Sequence, residues 1–209
     1  MRLFARHPPF RGAQRGNNVD FVCVQGFPAY RHTPQAATRR LHLRLYSSAV
    51  NTIRFGTDGW RGVIADDFTF DNVRKVSLAI ARYVIRAEKP AGGVLVGYDN
   101  RFGGERFARA AAETIAMTGT PVWLAGAPCP TPAISLLVRQ RAAAGGIVIT
   151  ASHNPYRWSG IKFKASYGSS ASPSIVAQIE ENLGPVLAAG LPSLPARNDL
   201  IQPLDAIAP

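Results

Sequence analysis

Short runs of branched apolar residues alternate with longer segments of helical periodicity, and this alternation constrains the fold more than any other feature of the chain. The apolar runs predict strands at residues 52–55, 94–96, 122–124 and 146–149. The other segments predict helices at residues 71–86, 105–117, 131–141 and 174–183. Strands joined by helices of this length favour right-handed crossovers. The sequence therefore predicts an α/β fold, a three-layer α/β/α sandwich with a mainly parallel mixed sheet.

Basic residues are concentrated in the first 50 residues of the chain. This segment holds eight arginines and one acid, Asp20, whereas the remainder holds 16 basic and 12 acidic residues. Because it is also rich in Pro, Gly and Gln and has no sustained period, we predict a disordered basic leader over residues 1–50. Three interpretations of the leader stay open: an over-extended reading frame or flexible tail, a targeting peptide, or a polyanion-binding arm. The globular part is only mildly basic, so nucleic acid is not an expected partner.

The C-terminal prolines indicate where the globular domain ends, and the two cysteines indicate the redox environment. Prolines recur from Pro185 onward, which predicts a Pro-rich tail over residues 185–209, at the start of a truncated inter-domain region, after a globular domain over residues 51–184. Cys23 and Cys129 have no close-spaced partners, so a reducing compartment is the expected environment. No apolar run is long enough to cross a bilayer. We therefore expect a cytoplasmic protein that has no membrane partner.

A candidate site follows the last predicted strand. The segment Thr-Ala-Ser-His-Asn-Pro at residues 150–155 begins where the apolar run at 146–149 ends. Ligands of open α/β sheets bind beyond the carboxyl ends of the strands, and Asn-Pro favours a rigid, irregular turn. The pattern thus places a hydroxyl nucleophile, Ser152, at a ligand-binding edge, with His153 beside it and Lys162 ten residues later.

Two interpretations of this Ser-His pair are compatible with the residues alone. A serine hydroxyl is a weak nucleophile, and one way to use it is to keep it loaded with a phosphoryl group that is passed on and returned. Such a phosphoserine attracts cations, for which His153 and Lys162 are candidates. The alternative is a capped turn that carries a solvated imidazole.

Three further segments accompany the serine segment. The chain contains Phe-Gly-Thr-Asp-Gly-Trp-Arg-Gly at residues 55–62, Val-Gly-Tyr-Asp-Asn-Arg at 96–101 and Pro-Thr-Pro-Ala at 130–133, and Gly-Ile-Lys follows the serine at 160–162. In this order, the segments resemble the first α/β/α domain of the α-D-phosphohexomutase family. That family includes phosphoglucomutases, phosphomannomutases and phosphoglucosamine mutases. The resemblance covers about residues 53–183 and is to this first domain only.

The resemblance implies roles for the residues around the serine. Ser152 matches the family's phosphoserine, which donates phosphate to one sugar hydroxyl, recovers it from another, and helps to hold Mg²⁺ through a phosphate oxygen. Lys162 matches a lysine that acts near the reacting hydroxyl, either as a base or as a charge that stabilises the transferred phosphoryl group. The alternative for Lys162 is a solvated basic residue, as expected for Lys164. His153 either orients its neighbour or takes part in proton transfer.

Two other loops carry residues for which structural and functional roles compete. Residues 56–62 are predicted to form a loop with three glycines, the glycine loop. Arg61 matches an arginine that reaches toward the active site from this loop, where it would bind the substrate's phosphate. Its alternative is an ion pair with Asp58 or Asp66. Asp99 and Arg101 are expected to brace each other across their own loop.

The implied activity is that of an intramolecular phosphotransferase, an isomerase of carbohydrate metabolism that moves phosphate between the 1- and 6-positions of a hexose phosphate. Phosphoglucomutase or phosphomannomutase activity is expected ahead of phosphoglucosamine mutase activity, with Mg²⁺ as the metal and hexose 1,6-bisphosphate as an activator. Family domains 2–4, which supply the other metal ligands and the sugar-reading loop, have no counterpart in this sequence, so a truncated, inactive mutase is expected. Two alternatives stay open: a non-catalytic phosphosugar-binding or regulatory module, and a polyanion binder that uses the basic leader.

Overall fold

The computed structural model describes residues 53–56, 58–88 and 90–207. The predictions for residues 1–50 lie outside these ranges. Short 3-10 turns occur at Pro90–Gly92 and Asn198–Leu200. None of the described helices is both long and apolar enough to cross a bilayer. The strands and α-helices are, in chain order, β1 (Trp60–Val63), α1 (Phe70–Ala87), β2 (Val94–Tyr98), α2 (Gly104–Ala116), β3 (Val122–Ala125), α3 (Thr131–Gln140), β4 (Gly145–Ile149), β5 (Trp158–Ala165), α4 (Pro173–Ala189) and β6 (Ile201–Leu204).

The six strands of the described residues form one mixed sheet in the order β1-β5-β4-β2-β3-β6. β2 pairs in parallel with β3 and β4, and β3 pairs in parallel with β6. β5 runs antiparallel to both of its neighbours, β1 and β4. All the other strands therefore share one direction, which confirms the predicted α/β class and its mainly parallel mixed sheet.

Helices cover both faces of this sheet, as a three-layer sandwich requires. Gly146 of β4 faces α3, because a Cβ atom there would lie 2.8 Å from the side chain of Ile134. Side chains alternate along a strand, so Ile147 points to the opposite face together with its registered partner, Phe163. On that face the Phe163 ring packs edge-on against Tyr83 of α1, with 5.8 Å between the ring centroids. Since α1 packs against α2 and α4, these three helices cover the face opposite to α3.

The first helix shows how the local sequence produces these elements. Thr69 precedes α1, and its side-chain oxygen accepts a hydrogen bond from the backbone N–H of Asn72 at 3.2 Å. This bond satisfies one of the N–H groups that have no partner inside the helix. The apolar side chains that predict α1 are all buried in the core: Val73, Val76, Ile80 and Val84. The helix prediction for residues 71–86 is therefore confirmed, with the observed helix one residue longer at each end.

β1 and β5 both differ from the sequence prediction. The sequence predicts a strand at residues 52–55 and a loop at 56–62, but residues 53–55 are not in a strand and β1 begins at Trp60. β5 has no counterpart among the predicted strands, because its lysines interrupt the apolar run that such predictions depend on. β1 and β5 pair with each other, from Trp60 opposite Ile161 to Val63 opposite Trp158. Pairing between segments so far apart in the chain is a tertiary property that local patterns do not report.

The predicted Pro-rich tail over residues 185–209 contains regular secondary structure. The last predicted helix continues to Ala189 and contains Pro185, and β6 pairs with β3 in the sheet. Pro203 lies within β6, whose position at the edge of the sheet lets a residue without an N–H face solvent on one side. Proline here marks an edge strand rather than an unstructured segment.

The packing of α3 on the sheet predicts a large effect of shortening Ile134, which is fully buried against Gly146. Ile134→Ala is expected to lower the free energy of unfolding by about 3 kcal/mol, because it removes buried methylene groups and leaves a cavity. Leu136→Ala, on the exposed side of the same helix, is the control and should change it by less than about 0.5 kcal/mol. Urea titrations of the two variants measure the difference, and equal effects would contradict this packing.

Candidate active site

Ser152 lies in the serine loop, residues 150–157, which connects the carboxyl end of β4 to β5. Its φ angle is 56°, in the left-handed region that residues other than glycine rarely adopt. Its backbone N–H donates a hydrogen bond to Oγ1 of Thr150 at 3.0 Å, and its side chain is exposed. The hydroxyl therefore lies at the ligand-binding edge of the sheet on a backbone that the surrounding structure holds in an uncommon conformation.

Arg101 holds the backbone of this loop. Its Nη2 atom donates to the carbonyl oxygens of Ser152 and Asn154, each at 2.7 Å. Its Nη1 atom donates to the carbonyl oxygens of Pro155 and Trp158, each at 3.1 Å. One planar cation with several fixed donors thus joins four carbonyls of the loop and the start of β5, which a lysine ammonium has too few donors to do.

Asp99 in turn orients Arg101. One carboxylate oxygen lies 3.3 Å from Nε of Arg101, and the other accepts a hydrogen bond from the backbone N–H of Arg101 at 3.0 Å. This confirms the expectation that the two residues brace each other. The sequence reasoning missed the second partner, the serine loop. One signal could have predicted this contact. The segment with Arg101 follows β2 and the segment with Ser152 follows β4, and these two strands are neighbours in the sheet.

A second group of charges connects the glycine loop to β5. Asp58 Oδ2 lies 3.1 Å from Nη2 of Arg61 and 2.6 Å from Nζ of Lys162. The other terminal nitrogen of Arg61, Nη1, donates to Oδ1 of Asn154 at 3.0 Å. The structure thus brings Arg61 and Lys162 together through one carboxylate and attaches Arg61 to the serine loop. Of the two ion pairs considered for Arg61, the one formed is with Asp58.

Gly59 makes this arrangement possible. Its φ angle is 93°, and a Cβ atom at this position would lie 1.9 Å from the carbonyl oxygen of Ile161. Only a residue without a side chain fits there. The close crossing brings Asp58 against Lys162, the residue after Ile161 in β5.

The charge of Asp58 is maintained by its neighbours. Partial burial raises the pKa of this carboxyl. The hydrogen bond from Lys162 and the positive charges of Lys162, Lys164 and Arg61 together lower the pKa by more than burial raises it, so the net pKa lies below the usual 3.8. The carboxylate is therefore ionised at neutral pH. Its attraction to the two cations is present above the usual pKa and is lost only as the pH falls through the lowered value.

His153 is exposed on the loop beside Ser152. Its Nδ1 atom lies 3.5 Å from Oγ of Ser152, at the outer limit of a hydrogen bond. The site therefore has an imidazole next to the hydroxyl, as the sequence predicts, but the contact is long. The predicted site residues Ser152, His153, Arg61 and Lys162 all lie at this one edge, with Lys162 bound to Asp58 rather than to the hydroxyl.

Lys164 is not the solvated residue expected from the sequence. It is only 7% exposed, and its ammonium donates to Oγ of Ser170 at 3.0 Å. Burial lowers its pKa from the usual value of 10.5, and the charge of Lys162 lowers it further, although the charge of Asp58 opposes both effects. Lys164 thus adds a largely buried positive charge behind the cations of the site.

The fold and the loop geometry define an α/β domain whose candidate site lies at the edge where ligands of open α/β sheets bind, and comparison with known proteins identifies its family. Residues 52–185 match the family model described as phosphoglucomutase/phosphomannomutase, alpha/beta/alpha domain I. Because this match covers more than half of the chain, the chain belongs to the phosphoglucomutase/phosphomannomutase family and contains its first α/β/α domain. The resemblance inferred from the four sequence segments is therefore confirmed.

Curated relatives in this family are much longer than the match. The phosphoglucosamine mutase of Synechococcus sp. (strain CC9902) is 39% identical over 129 residues, which are 62% of this chain and 27% of the relative. The phosphoglucosamine mutase of Chromohalobacter salexigens is 39% identical over 132 residues, which are 62% of this chain and 29% of the relative. The chain thus spans less than a third of the length of these relatives.

Solved structures also match this chain over about a third of their own length. The structure of a putative phosphomannomutase from Thermus thermophilus matches with a TM-score of 0.62 and 39% identity, over 73% of this chain and 33% of that chain. A phosphoglucomutase/phosphomannomutase family protein from Burkholderia thailandensis matches with a TM-score of 0.57 over 74% of this chain and 32% of that chain. At 21% identity, the second match supports the fold alone.

The contacts of Arg101 predict a local effect of removing its guanidinium. In Arg101→Met, amide hydrogen exchange over residues 152–158 should become at least about tenfold faster, because four carbonyls lose charge-assisted hydrogen bonds. Arg101→Lys should restore little of the protection. Arg141→Met, at an exposed arginine after α3, is the control and should leave this loop unchanged. Unaltered exchange in Arg101→Met would contradict the role of Arg101.

The burial of Lys164 predicts a pH-dependent stability difference. Since its pKa is lowered in the folded state, the unfolded chain keeps a proton that the folded chain releases, so stability gains from Lys164 as the pH rises toward its usual pKa. Lys164→Met is expected to be more stable than the wild type at neutral pH, by up to about 1 kcal/mol, because it removes the cost of burying the charge. The variant's advantage should shrink between pH 7 and about pH 10 in urea titrations. An advantage that grows with pH would contradict the lowered pKa.

Proposed function

We propose that this chain supplies the first domain of a phosphohexomutase and that Ser152 is its phosphoryl carrier. The observation that carries the proposal is the exposed hydroxyl of Ser152 on a loop clamped by Arg101, with Arg61 attached to the same loop. The family supports an isomerase activity of this kind. The reaction proposed is the transfer of phosphate between the 1- and 6-positions of a hexose phosphate.

The charges around Ser152 favour a bound phosphate. Arg61 and Lys162 both donate to the single carboxylate of Asp58, so two cations share one anion. The buried ammonium of Lys164 adds a further positive charge that acts on Asp58. A phosphate on Ser152, which carries up to two negative charges, would balance this excess. Arg61 is therefore proposed to bind phosphate, and Lys162 is proposed to stabilise the transferred group by its charge.

The proposed transfer conserves one phosphoryl group over the cycle. The bond between phosphorus and Oγ of Ser152 breaks while phosphorus bonds to a sugar hydroxyl oxygen, whose proton is released. Oγ takes up a proton, and transfer in the opposite sense from the other phosphate of the sugar reloads the serine. His153, 3.5 Å from Oγ, is proposed to exchange this proton or to orient the serine.

A metal ion is proposed to bind through the phosphate of Ser152. Mg²⁺ prefers oxygen ligands and neutralises charge on a transferring phosphoryl group. Arg61 and Lys162 at this edge of the sheet are cations, and both already bind the Asp58 carboxylate. Within the described ranges, no cluster of three or more His, Cys, Asp or Glu side chains could hold a metal. The cations Arg61 and Lys162 fit a phosphate on Ser152, and an oxygen of that phosphate would supply one ligand to the metal. The other metal ligands are proposed to come from family domains 2–4.

The substrate and the need for partner domains are proposals that rest on the relatives. The chain spans 27% to 33% of the relatives compared above, so we propose that turnover requires domains 2–4. We propose a hexose phosphate as the substrate and a hexose 1,6-bisphosphate as the activator. Because the curated relatives are phosphoglucosamine mutases, glucosamine phosphate joins glucose and mannose phosphates as a substrate to test.

Removing the hydroxyl of Ser152 tests the proposal. The purified chain is combined with domains 2–4 of the Thermus thermophilus relative, Mg²⁺ and each hexose 1,6-bisphosphate, and assayed for isomerisation of the matching monophosphate. We expect Ser152→Ala to lower kcat at least about 1,000-fold, since the group that carries phosphate is gone. Peptide mass analysis should find phosphate on Ser152 of the wild type.

Ser169→Ala is the matched control, because Ser169 is an exposed serine outside the loop. It should retain both activity and phosphate. An active Ser152→Ala assembly would contradict the nucleophile assignment. A wild-type chain that acquires phosphate but never isomerises a sugar in the complete assembly would favour the non-catalytic module.

A further inference from the structure

Three arginines line a surface groove between α1 and α2. The groove is open to solvent and has a volume of about 280 Å³, and none of its residues belongs to the loops of the candidate active site. Arg74 comes from the second turn of α1, and Arg106 and Arg109 come from the first two turns of α2. The full lining is Phe70, Arg74, Arg106, Arg109, Ala110 and Glu113.

An aromatic ring holds two of these arginines together. The guanidinium carbons of Arg74 and Arg106 lie 5.9 and 5.5 Å from the centroid of the Phe70 ring. Both distances are within the range of cation–π attraction. Phe70 itself is stacked on the buried ring of Phe107, with 4.4 Å between centroids. The two like charges therefore gather at a ring that is anchored in the core.

The positive charges of the groove are not balanced by neighbouring acids. In the described part of the chain, the ion pairs involve other basic residues, among them Lys75 with Asp71 and Arg197 with Asp199. None of the three groove arginines forms an ion pair or a side-chain hydrogen bond there. Glu113 lines the groove without lying within ion-pair distance of an arginine. Glu105 lines a neighbouring pocket together with Arg109, and it too forms no ion pair in the described residues. Three cations thus face two carboxylates, and a bound anion would relieve their mutual repulsion.

We propose that this groove binds a small phosphate-bearing anion at a site separate from Ser152. Guanidinium groups present planar forks of N–H donors that match phosphate oxygens. An opening of about 280 Å³ has room for a small anion such as pyrophosphate or a sugar phosphate. The proposal goes beyond the proposed mutase function, since it uses no residue of the serine loop.

An NMR titration of the full chain with pyrophosphate tests this site. The amide signals of Phe70, Ala110 and Glu113 should shift saturably, and the apparent Kd should rise at least about tenfold in the double variant Arg106→Gln/Arg109→Gln, which loses two charge-assisted contacts. Arg139→Gln/Arg141→Gln removes the same charge from exposed positions at the end of α3 and should leave the Kd unchanged. Arg109→Gln alone should weaken binding while leaving both contacts to Phe70 in place.

The remaining outcomes separate this site from the candidate active site. Arg61→Gln removes a cation that contacts the serine loop. The Kd read from the groove signals should stay at the wild-type value in this variant, so a failure of the mutase proposal would leave this result intact. Loss of binding in Arg61→Gln would overturn the groove proposal, because it would assign the anion to the serine loop. Equal weakening in the two double variants, or groove signals that do not shift, would overturn it as well.

Discussion

The bonds from one guanidinium to four backbone carbonyls hold the candidate site together. Parallel pairing of β2 with β4 brings the loops after both strands to the same edge of the sheet, and Arg101 then joins them. A loop that contains a serine with a left-handed backbone needs such external support, since the conformation costs free energy by itself. The four carbonyl oxygens point toward the guanidinium of Arg101, from which they accept hydrogen bonds. They are thereby kept from repelling an anion near the serine.

Asp58 connects the side chains of the candidate site, whereas Arg101 holds its backbone. It is one carboxylate between two cations, and its crossing point with β5 exists only because Gly59 has no side chain. The glycine loop, the serine loop and β5 are thereby connected through Arg61 and Lys162. The groove between α1 and α2 shows the opposite use of arginine, because two of its three guanidinium groups lie against the Phe70 ring and none of the three forms an ion pair in the described residues. Paired arginines build the site, whereas unpaired ones create an unbalanced charge on the surface.

Sequence patterns predicted the central parallel elements well. β2, β3 and β4 are apolar runs that are buried on both faces, and the helices between them have a clear apolar stripe, so local periodicity is enough to find them. The patterns failed at the margins of the sheet. β1 and β5 contain charged residues and glycines, and β6 contains Pro203, so their strand conformation depends on the partner strand rather than on local preference.

The sequence by itself determined the α/β class, the position of Ser152 at the end of a buried strand, and the family through four ordered segments. Only the tertiary structure decided which residues meet there: Arg101 on the serine loop, Asp58 between Arg61 and Lys162, and Lys164 buried rather than solvated. The physical reason is that a residue's type and spacing encode its local conformation and its chance of burial. Its partners are set by strand order and close backbone crossings, which join segments that are distant in the chain.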